Sequence, residues 1–597
     1  MAIDAVVVRS VSEMLASSQN ATVKKILDES MKDWKEAQVA RSTFAGQWEE
    51  IAEILDTNAK NTFYPGNYNY PGQKKTERQI DSNGMLALDK FKAILDSLLT
   101  PRNMYWHGLA ADNTYLMKQR KVRRWYEQAT HALFRLRYAE TANFASQNQM
   151  VFHNLGCYGT GALFVDALQS HVGLRGFRYR APSRGEIFIK ENHQGIIDAY
   201  IRYFRMTAEQ AMGKWGDNVP PQIKAAAEQK SQTPFEFIQR VSPRLDFDAQ
   251  RIDAKGKPWF SYYICLMGPY LIEEGGYNTF PMPTSRYIQA PGEVDGRGPA
   301  GMVLPTLKTI NAQKSTFLKQ GHRASDPILL TADDGLGDFN MRPGANNKGY
   351  VSLEGKRLVD ILPTGQIQIN EKMMDMEKAI IWDAFLVQLF QIMTETPQMT
   401  ATEVIERTNE KGILLAPTVG RQMSEYLGPL IAREIDLAMQ LRLLQPMPGV
   451  MLEARGHYRH SVHYTSPIAR AMKAQEAAGF IRTVESVKEL VNITGDASLL
   501  DRFNFDVAIP KIAEIQSVPE SWMATDDEVA AKRKNRAQAQ QADQQIKALP
   551  AQAAMLKAQA VVKKNEPGVP GGQPQQPQMA GPPPGARQMN LGMPGGQ

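Results

Sequence analysis

Three glycines near the middle of the sequence have the spacing of a loop that binds a dinucleotide. Gly296, Gly298 and Gly301 form a G-x-G-x-x-G pattern, in which backbone amides at a helix N-terminus hold a pyrophosphate. That chemistry needs a buried strand directly before the first glycine, and here a polar segment intervenes. Pro299 and Pro305 remove amide donors, and the acidic residue expected about 20 residues later is missing. We therefore interpret the pattern as a structural turn and disfavour the alternative, a dinucleotide-binding enzyme.

Histidine and cysteine side chains elsewhere do not complete a reactive or metal-binding pattern. His153 and Cys157 could form a nucleophile–base pair, but their apolar surroundings favour simple packing. His457, His460 and His463 have the spacing of metal ligands, yet on a solvated strand the middle histidine faces away from the other two. No second cluster is placed to complete a zinc tetrahedron. We therefore expect a protein that is not an enzyme, with no catalytic residues, no metal and no cofactor.

The overall composition limits the classes of partner. The 597 residues carry 69 lysines and arginines against 63 acidic residues, so the net charge of +6 is a small surplus. This balance excludes a histone-like polycation but permits contact with nucleic acid. Two cysteines cannot form a disulfide framework and fit a reducing compartment. No apolar run reaches the roughly 18–20 residues of a membrane span, and no secretory leader is recognisable, so we expect no membrane partner.

The hydrophobic pattern predicts an α+β fold that is mainly helical. Helical spacing of apolar residues covers residues 1–60 and 85–99, and Pro101 ends the second helix. Between about 150 and 290, short β-rich runs bounded by Gly, Pro and Asn predict strands with short helices between them. The predicted strands are GALFVDA, GEIFIKE, GIIDAYIRYF and PWFSYYICLM.

Longer helices are predicted in the second half of the chain. The first runs from 299 to about 320, where Gly321 suits its C-terminal end. The second begins near Asn370, and its part from Ile380 to Met393 is apolar almost all round, which predicts burial on several sides. Ser466-Pro467 is a strong start for another helix.

Six segments, taken together and in order, resemble the head-to-tail connecting, or portal, proteins of short-tailed double-stranded DNA bacteriophages. They are DSNGMLALDKFKAILDSLLTPRNMYWHGL (81–109), VFHNLGCYGTGALFVDA (151–167), APGEVDGRGPAGMVLPTLKTIN (290–311), ASDPILL (324–330), MTATEVIER (399–407) and HYTSPIARA (463–471). The resemblance covers roughly residues 40 to 510. One departure is Asp295, where the family pattern implies an aromatic residue before Gly-Arg-Gly.

The resemblance implies a portal-type subunit built from defined parts. These are N-terminal helices and a mixed α/β wing (1–290), a first stem helix (291–324), a small α/β clip (325–366), a second stem helix (367–394), a tunnel loop with wing helices (395–465), a helical crown (466–540) and a Gln/Pro/Gly-rich tail (541–597). The composition of the tail predicts disorder. Gly296, Arg297, Gly298 and Pro299 form the predicted turn from wing to stem, and we expect Arg297 to make a local contact there.

The resemblance also implies a ring of about twelve identical subunits at one capsid vertex, since head-to-tail contacts close under cyclic symmetry. Its central channel would pass double-stranded DNA into the head and out through the tail, without sequence specificity. The implied partners are other copies of the chain, the terminase packaging motor, tail adaptor and tail tube proteins, scaffold and the major capsid protein. The implied location is the head–tail junction of the virion, after assembly in the host cytoplasm.

The candidate contacts with channel DNA are basic residues on the predicted stem helices and after the tunnel loop: Lys308, Lys314, Lys319, Arg323, Lys372, Lys378, Arg407 and Lys411. Solvated helix faces or inter-subunit ion pairs explain each of them equally well. A different structural protein of the virion, which need not form a closed ring, is the alternative function.

Overall fold

The computed structural model describes most of the chain before residue 388 and several segments after it. The described residues are 21–66, 72–73, 75–168, 173, 175–331, 340, 342–362, 367–388, 417–454, 459–465, 467–494, 502–515, 522–524, 528–541 and 554–555. Residues 1–517 form one compact unit and residues 518–597 a second. In the second unit, residues 528–541 are helical. Among all described residues, no helix combines the length and apolar character of a membrane span.

Helices dominate the first part of the chain. In order, the elements are α1 (Ala21–Ile54), α2 (Asn83–Leu99), β1 (His107–Ala111), α3 (Thr114–Met117), α4 (Arg120–Arg137) and α5 (Phe144–Tyr158). The apolar stripes of α1, α2 and α5 meet in one core, where Trp48, Phe91 and Phe152 are fully buried. α2 ends at Leu99, as Pro101 predicts.

A five-stranded antiparallel sheet follows, with helices against both faces. Its region comprises β2 (Thr160–Ala162), β3 (Phe164–Ala167), β4 (Phe177–Arg180), β5 (Ile187–Glu191), β6 (Ile197–Thr207), α6 (Ala208–Trp215), α7 (Pro221–Glu228), β7 (Pro234–Pro243), β8 (Trp259–Cys265) and β9 (Tyr270–Tyr277). The sheet order β5-β6-β7-β8-β9 is a simple meander. Phe237 packs toward α6 and α7, whereas its neighbour Ile238 packs toward Trp34 of α1, as the two-residue period of a strand requires. The predicted strands GEIFIKE, GIIDAYIRYF and PWFSYYICLM are confirmed, GALFVDA forms the two short strands β2 and β3, and β4, β7 and β9 are additional.

The chain then enters its longer helices through β10 (Thr284–Arg286), α8 (Pro299–Met302) and α9 (Leu304–Ser325). The prediction of one helix from 299 is wrong at Val303, because Pro305 has no N–H to give to the carbonyl of Gly301. The prediction that Gly321 ends the helix is also wrong, since α9 continues to Ser325. Only Leu304, Leu307 and Ile310 of α9 are buried.

A small paired segment and a second helix come next. They are β11 (Leu329–Thr331), which pairs antiparallel with β12 (Val359–Ile361), and α10 (Ile367–Ala384), which packs on α9. The prediction of an unbroken helix over 367–394 is wrong, because Leu386 takes a left-handed backbone conformation with φ of 61°. Within a single chain the helix is not buried on several sides either: Ile381 is fully buried, but Ile380 is half exposed.

In the C-terminal part of the first unit, α11 (Gly428–Gln440), α12 (Gly449–Glu453) and β13 (His460–Tyr464) return to the main core. They are followed by α13 (Pro467–Thr494) and α14 (Phe505–Ile515), which pack against each other. β13 pairs antiparallel with β1, so segments more than 300 residues apart in sequence form one ribbon. The helix predicted from Pro467 is confirmed. The predicted tunnel loop, TETPQMTATEV (394–404), and nearly all of the predicted disordered tail lie outside the described residues.

Candidate functional site

The glycine turn (residues 286–299) joins the sheet region to α8 and α9 and rests directly on the end of α5. Gly159, with φ of 76°, ends α5. A Cβ atom at Gly159 would overlap the carbonyl oxygen of Gly296 and the amide nitrogen of Gly298, and one at Gly298 would lie 2.7 Å from the Gly159 nitrogen. Two backbones therefore cross at a distance that only glycine allows. This crossing fixes where α8 and α9 leave the sheet region.

Three backbone amides of the G-x-G-x-x-G segment are already used within the chain. The Gly296 amide donates to the Thr160 hydroxyl at 2.8 Å, and the Arg297 amide donates to the Ile288 carbonyl at 2.7 Å. The Gly301 amide donates to the Gly298 carbonyl at 3.1 Å. A pyrophosphate cradle needs these donors free and pointing at the ligand. The geometry therefore supports a structural turn, since Gly159 fills the space that a ligand would take.

A buried ion pair stabilises the inner side of the glycine turn. Asp295 pairs with Arg184, and both side chains are almost fully buried. The Arg184 guanidinium also lies 4.5 Å from the ring centre of Trp48, so a planar cation and the indole fill the space below the turn. Asp295 is the position where the family pattern implies an aromatic residue. In this chain a carboxylate with a dedicated arginine occupies it instead.

Arg41 of α1 holds the loop that carries Arg184. Its guanidinium donates to the carbonyl oxygens of Phe63 at 2.6 Å, Gly185 at 3.0 Å and Ile187 at 3.0 Å. Burial lowers the pKa of Arg41 to about 9, and the charge of Arg184 contributes to the decrease. These buried backbone carbonyls thus obtain a charged donor, as buried polar groups require.

A segment of π-helix fastens the other side of the turn. Residues Gln422–Leu427 adopt this conformation directly before Gly428 and Pro429, where the proline ring disfavours the regular α-helical bond. The segment points Glu425 at Arg286, whose Nη2 donates to Oε1 of Glu425 at 2.8 Å. Gln422 donates to the Arg286 carbonyl at 3.1 Å. The turn is therefore held by charged groups from three separate parts of the chain.

Arg297 makes its contact at the surface of the turn. Its guanidinium donates to Glu293 at 2.8 and 2.5 Å, and this lowers the pKa of Glu293. The Arg297 side chain is close to half exposed, so the pair adds little to stability. Burial of Asp295 and Arg184, rather than Arg297, carries the bracing of the turn.

The basic residues of α9 divide between two faces. On a helix with 3.6 residues per turn, Lys308, Lys319 and Arg323 fall within about 60° of one another, and we call them the basic face of α9. Lys308 pairs with Glu50 at 2.7 Å, while Lys319 and Arg323 form no ion pair with another described residue. Lys314 lies on a different face and pairs at 3.0 Å with the buried carboxylate of Asp81. No acidic residue is present in α9.

The other candidate DNA contacts are on or after α10. Lys372 is exposed and forms no ion pair with a described residue, whereas Lys378 pairs with Asp375 at 2.8 Å. α10 also carries four acidic residues, so its two lysines leave it net negative. Arg407 and Lys411 lie outside the described residues. The structure thus brings the unpaired cations together on α9 and not on α10.

An exposed apolar stripe runs along α10. Met373, Met376 and Ile380 follow an i, i+3, i+7 pattern and are 49%, 68% and 50% exposed, and we call them the apolar stripe of α10. A second set, Met374 and Ile381, is buried on another face. A helix that is apolar on two faces needs neighbours on two sides, and the described residues of one chain supply only one.

A basic segment at the start of α4 was missed by the sequence interpretation. Lys118, Arg120, Lys121 and Arg124 are exposed and form no ion pair with another described residue. Cations in the first turn also oppose the helix dipole. The run KQRKVRR, with no acidic residue, is a signal that sequence reasoning could have used.

The histidines and the first cysteine have more partners than the sequence predicts. His153 Nε2 lies 3.1 Å from Oδ2 of Asp56 and 3.9 Å from Sγ of Cys157. Burial alone would raise the pKa of Asp56, but His153 and Tyr158 lower it overall. Burial raises the pKa of Cys157 well above its usual range, and Asp56 adds to the rise. A thiol held neutral in this way is a poor nucleophile.

The prediction of a solvated strand for the three spaced histidines is wrong in part. His460 is half buried and forms a hydrogen bond with the Tyr126 hydroxyl at 2.9 Å, while His463 is exposed. Burial lowers the pKa of His460. His457 lies outside the described residues. No metal-ligand cluster forms here among the residues that the structure describes.

The comparisons with known proteins agree on one family. Residues 27–523 match the family model described as bacteriophage head to tail connecting protein. The probable portal protein of Bordetella phage BPP-1 is 24% identical over 88% of this chain and 93% of its own length. The portal protein of Salmonella phage epsilon15 is 23% identical over 84% of this chain and 90% of its own.

A solved structure described as the virion of a native gene transfer agent particle matches 68% of this chain and 86% of that chain, at 11% identity and a TM-score of 0.31. The mainly helical α+β class predicted from the sequence is confirmed by the elements described above. Since the family model covers most of the chain, the protein belongs to the bacteriophage head to tail connecting protein family.

Proposed function

We propose that the chain is a portal subunit that assembles into a ring of about twelve copies at one capsid vertex. The ring forms the channel through which double-stranded DNA enters the head and later leaves through the tail. Membership of the connecting protein family supports this function, as do the portal names of two relatives that match along most of their length.

The observation that carries the ring is the apolar stripe of α10. Met376 is 68% exposed and Ile380 is 50% exposed in a single chain. Exposed apolar side chains at helical spacing mark an interaction surface when they form a continuous stripe. Neighbouring copies in a ring would cover this stripe at every subunit, so no edge would remain.

The elements of the structure are assigned to the parts that the family resemblance implies. In this proposal, the sheet region with its helices is the wing, α9 and α10 are the stem pair, and β11 with β12 belongs to the clip. The glycine turn sets the angle between wing and stem. The tunnel loop (395–465 with its wing helices) and the crown (466–540) complete the subunit.

The basic face of α9 is the proposed channel surface. Lys319 and Arg323 are exposed and lack ion pairs among the described residues, whereas Lys314 is occupied by Asp81. Two or three cations per subunit would attract phosphates, and each phosphate that they fix adds about 0.9 to the salt slope of DNA binding. Lys372, Arg407 and Lys411 remain candidates for the same surface.

The remaining partners follow from the position at the vertex. The clip would contact the terminase motor and later the tail adaptor, and the wing would contact scaffold and the major capsid protein. Assembly would take place in the host cytoplasm, and the finished ring would remain in the virion.

Electron microscopy of the purified protein tests the proposal. We expect closed rings with a central hole in the wild-type protein and in Leu245→Lys, which changes an apolar residue that is fully exposed away from the stem helices. We expect single subunits or open fragments in Ile380→Lys. Monomers or filaments without a hole at every salt concentration would refute the portal function.

A further inference from the structure

We propose that Asp56, His153 and Cys157 form a binding site for one divalent metal ion of the zinc class. The site uses no residue of the glycine turn or of the proposed channel surface. It does not depend on formation of the ring. It brings together a residue just after α1 and two residues of α5 that are 97 or more positions away in sequence.

The geometry brings three ligand atoms to one point. His153 and Cys157 are four residues apart on α5 and therefore share a helix face. Nε2 of His153 lies 3.1 Å from Oδ2 of Asp56 and 3.9 Å from Sγ of Cys157, and all three atoms lie within 4.8 Å of one another. Tetrahedral zinc with bonds of about 2.0–2.3 Å needs ligand atoms roughly 3.3–3.7 Å apart. Small shifts of these side chains would bring the three atoms to that spacing.

The ligand types select the ion. A thiolate, an imidazole and a carboxylate suit zinc and its borderline neighbours, whereas calcium and magnesium prefer oxygen ligands alone. Binding would replace the thiol proton of Cys157 with the metal, and that proton would pass to solvent. The two anionic ligands, Asp56 and Cys157, would then balance the charge of the ion in a largely buried position.

The surroundings provide a rigid frame. The Tyr158 hydroxyl donates to Oδ2 of Asp56 at 2.9 Å, the kind of outer hydrogen bond that orients a ligating carboxylate. The Tyr158 ring packs against Trp48 and Phe63, so this frame is fixed before a metal arrives.

The site would tie α1 to α5 next to the glycine turn. Gly159, which the turn crosses, lies two residues after Cys157. An ion bound only by the folded chain raises the stability of that chain by mass action. The expected effect is therefore a higher melting temperature, independent of DNA or of other virion proteins.

The test measures metal content and ligand chemistry on the full chain. The protein is produced in zinc-supplemented medium and purified without chelator, and a stripped sample is titrated with Co²⁺. We expect one ion per subunit, a thiolate-to-Co²⁺ charge-transfer band and a raised melting temperature. Both the stoichiometric ion and the band should be absent in Cys157→Ser and in Asp56→Asn, a nearly isosteric change.

The matched control is Cys265→Ser, because Cys265 is the other buried cysteine and packs in a different cluster. This variant should keep the ion and the band. Wild-type protein without stoichiometric metal would overturn the proposal and leave a hydrogen-bonded trio. Metal that persists in both Cys157→Ser and Asp56→Asn would also overturn it, because the ion would then be bound by other residues.

Discussion

The sheet region and the pair of long helices, α9 and α10, treat their charged and apolar residues in opposite ways. In the sheet and the helical core packed beside it, the buried charges Arg137, Glu434 and Arg286 are paired, and most apolar side chains of the strands are covered. Along α9 and α10, Lys319 and Arg323 lack ion pairs among the described residues and the apolar stripe is exposed. A region completed within one chain is built to hold its shape. A region left open is built to be completed by something else.

The largest expected effect comes from breaking the central buried ion pair. The guanidinium of Arg137 pairs with Glu434, both side chains are fully buried, and the Tyr179 hydroxyl also donates to Glu434 at 2.6 Å. Glu434→Gln leaves a buried arginine without its counter-charge, which costs about 3–5 kcal/mol. The control, Glu50→Gln, breaks the exposed pair with Lys308 and should cost under about 1 kcal/mol. Urea unfolding measures both, and similar destabilisation of the two variants would contradict the comparison.

The backbone crossing at Gly159 comes next. Gly159→Ala forces a Cβ atom into the backbone of Gly296 and Gly298, and we expect destabilisation by about 2–4 kcal/mol from strain and displacement together. Gly195 has nearly the same φ, 75°, but no atom lies within 4 Å of its added Cβ. Gly195→Ala should therefore cost only the left-handed strain of about 1–2 kcal/mol. Equal melting temperatures for the two variants would show that the turn does not depend on this contact.

His107, which contacts Arg137 in the core that one chain completes by itself, makes the stability of the protein depend on pH. Burial lowers its pKa well below the usual 6.5, and the charge of Arg137 lowers it further. Below about pH 6.5 this histidine is protonated in the unfolded chain but stays neutral in the folded chain. The free energy of unfolding therefore falls as the pH falls through that value. His107→Gln should remove this part of the slope between about pH 7 and 5. The check is the free energy of unfolding at several pH values, and an unchanged slope in the variant would exclude His107 as the cause.

Substitutions on the exposed faces of α9 and α10 should change DNA binding rather than the free energy of unfolding. Neutralising Lys319 and Arg323 together should leave the unfolding free energy within about 0.5 kcal/mol. The salt slope of DNA binding should fall by about 0.9 for each phosphate that the variant no longer neutralises. Lys378→Ala is the control, since Lys378 is already paired with Asp375. Filter binding at several salt concentrations measures the slope. If the double variant and the control bind alike, the basic face of α9 does not bind DNA.

Much of the secondary structure could be predicted because it depends on local pattern. The helix from Pro467 and the strand around Ile201 follow from caps and β-rich runs. The break at Val303 was in principle readable from Pro305, but the left-handed turn at Leu386 has no sequence signal. Leucine rarely adopts that conformation, so only the surrounding packing determines it.

The sites were less predictable because they combine distant residues. Asp56 lies 97 residues before His153, and no spacing rule connects them. Arg184 and Asp295 are likewise 111 residues apart. Their ion pair, which explains the carboxylate at the glycine turn, could therefore not be predicted from the sequence. The spacing of Met373, Met376 and Ile380 was visible, but periodicity alone does not tell which apolar face another copy covers.

Oxidation of individual methionines tests most directly whether other copies complete the open region. Met376 on the apolar stripe is 68% exposed in a single chain, and Met267, in the turn between β8 and β9, is 52% exposed. In the assembled wild-type protein, we predict that Met376 oxidises much more slowly than Met267, whereas in dissociated Ile380→Lys subunits the two should oxidise at similar rates. Equal rates in the assembled protein would contradict the account, because the apolar stripe of α10 would then remain open to solvent in the ring.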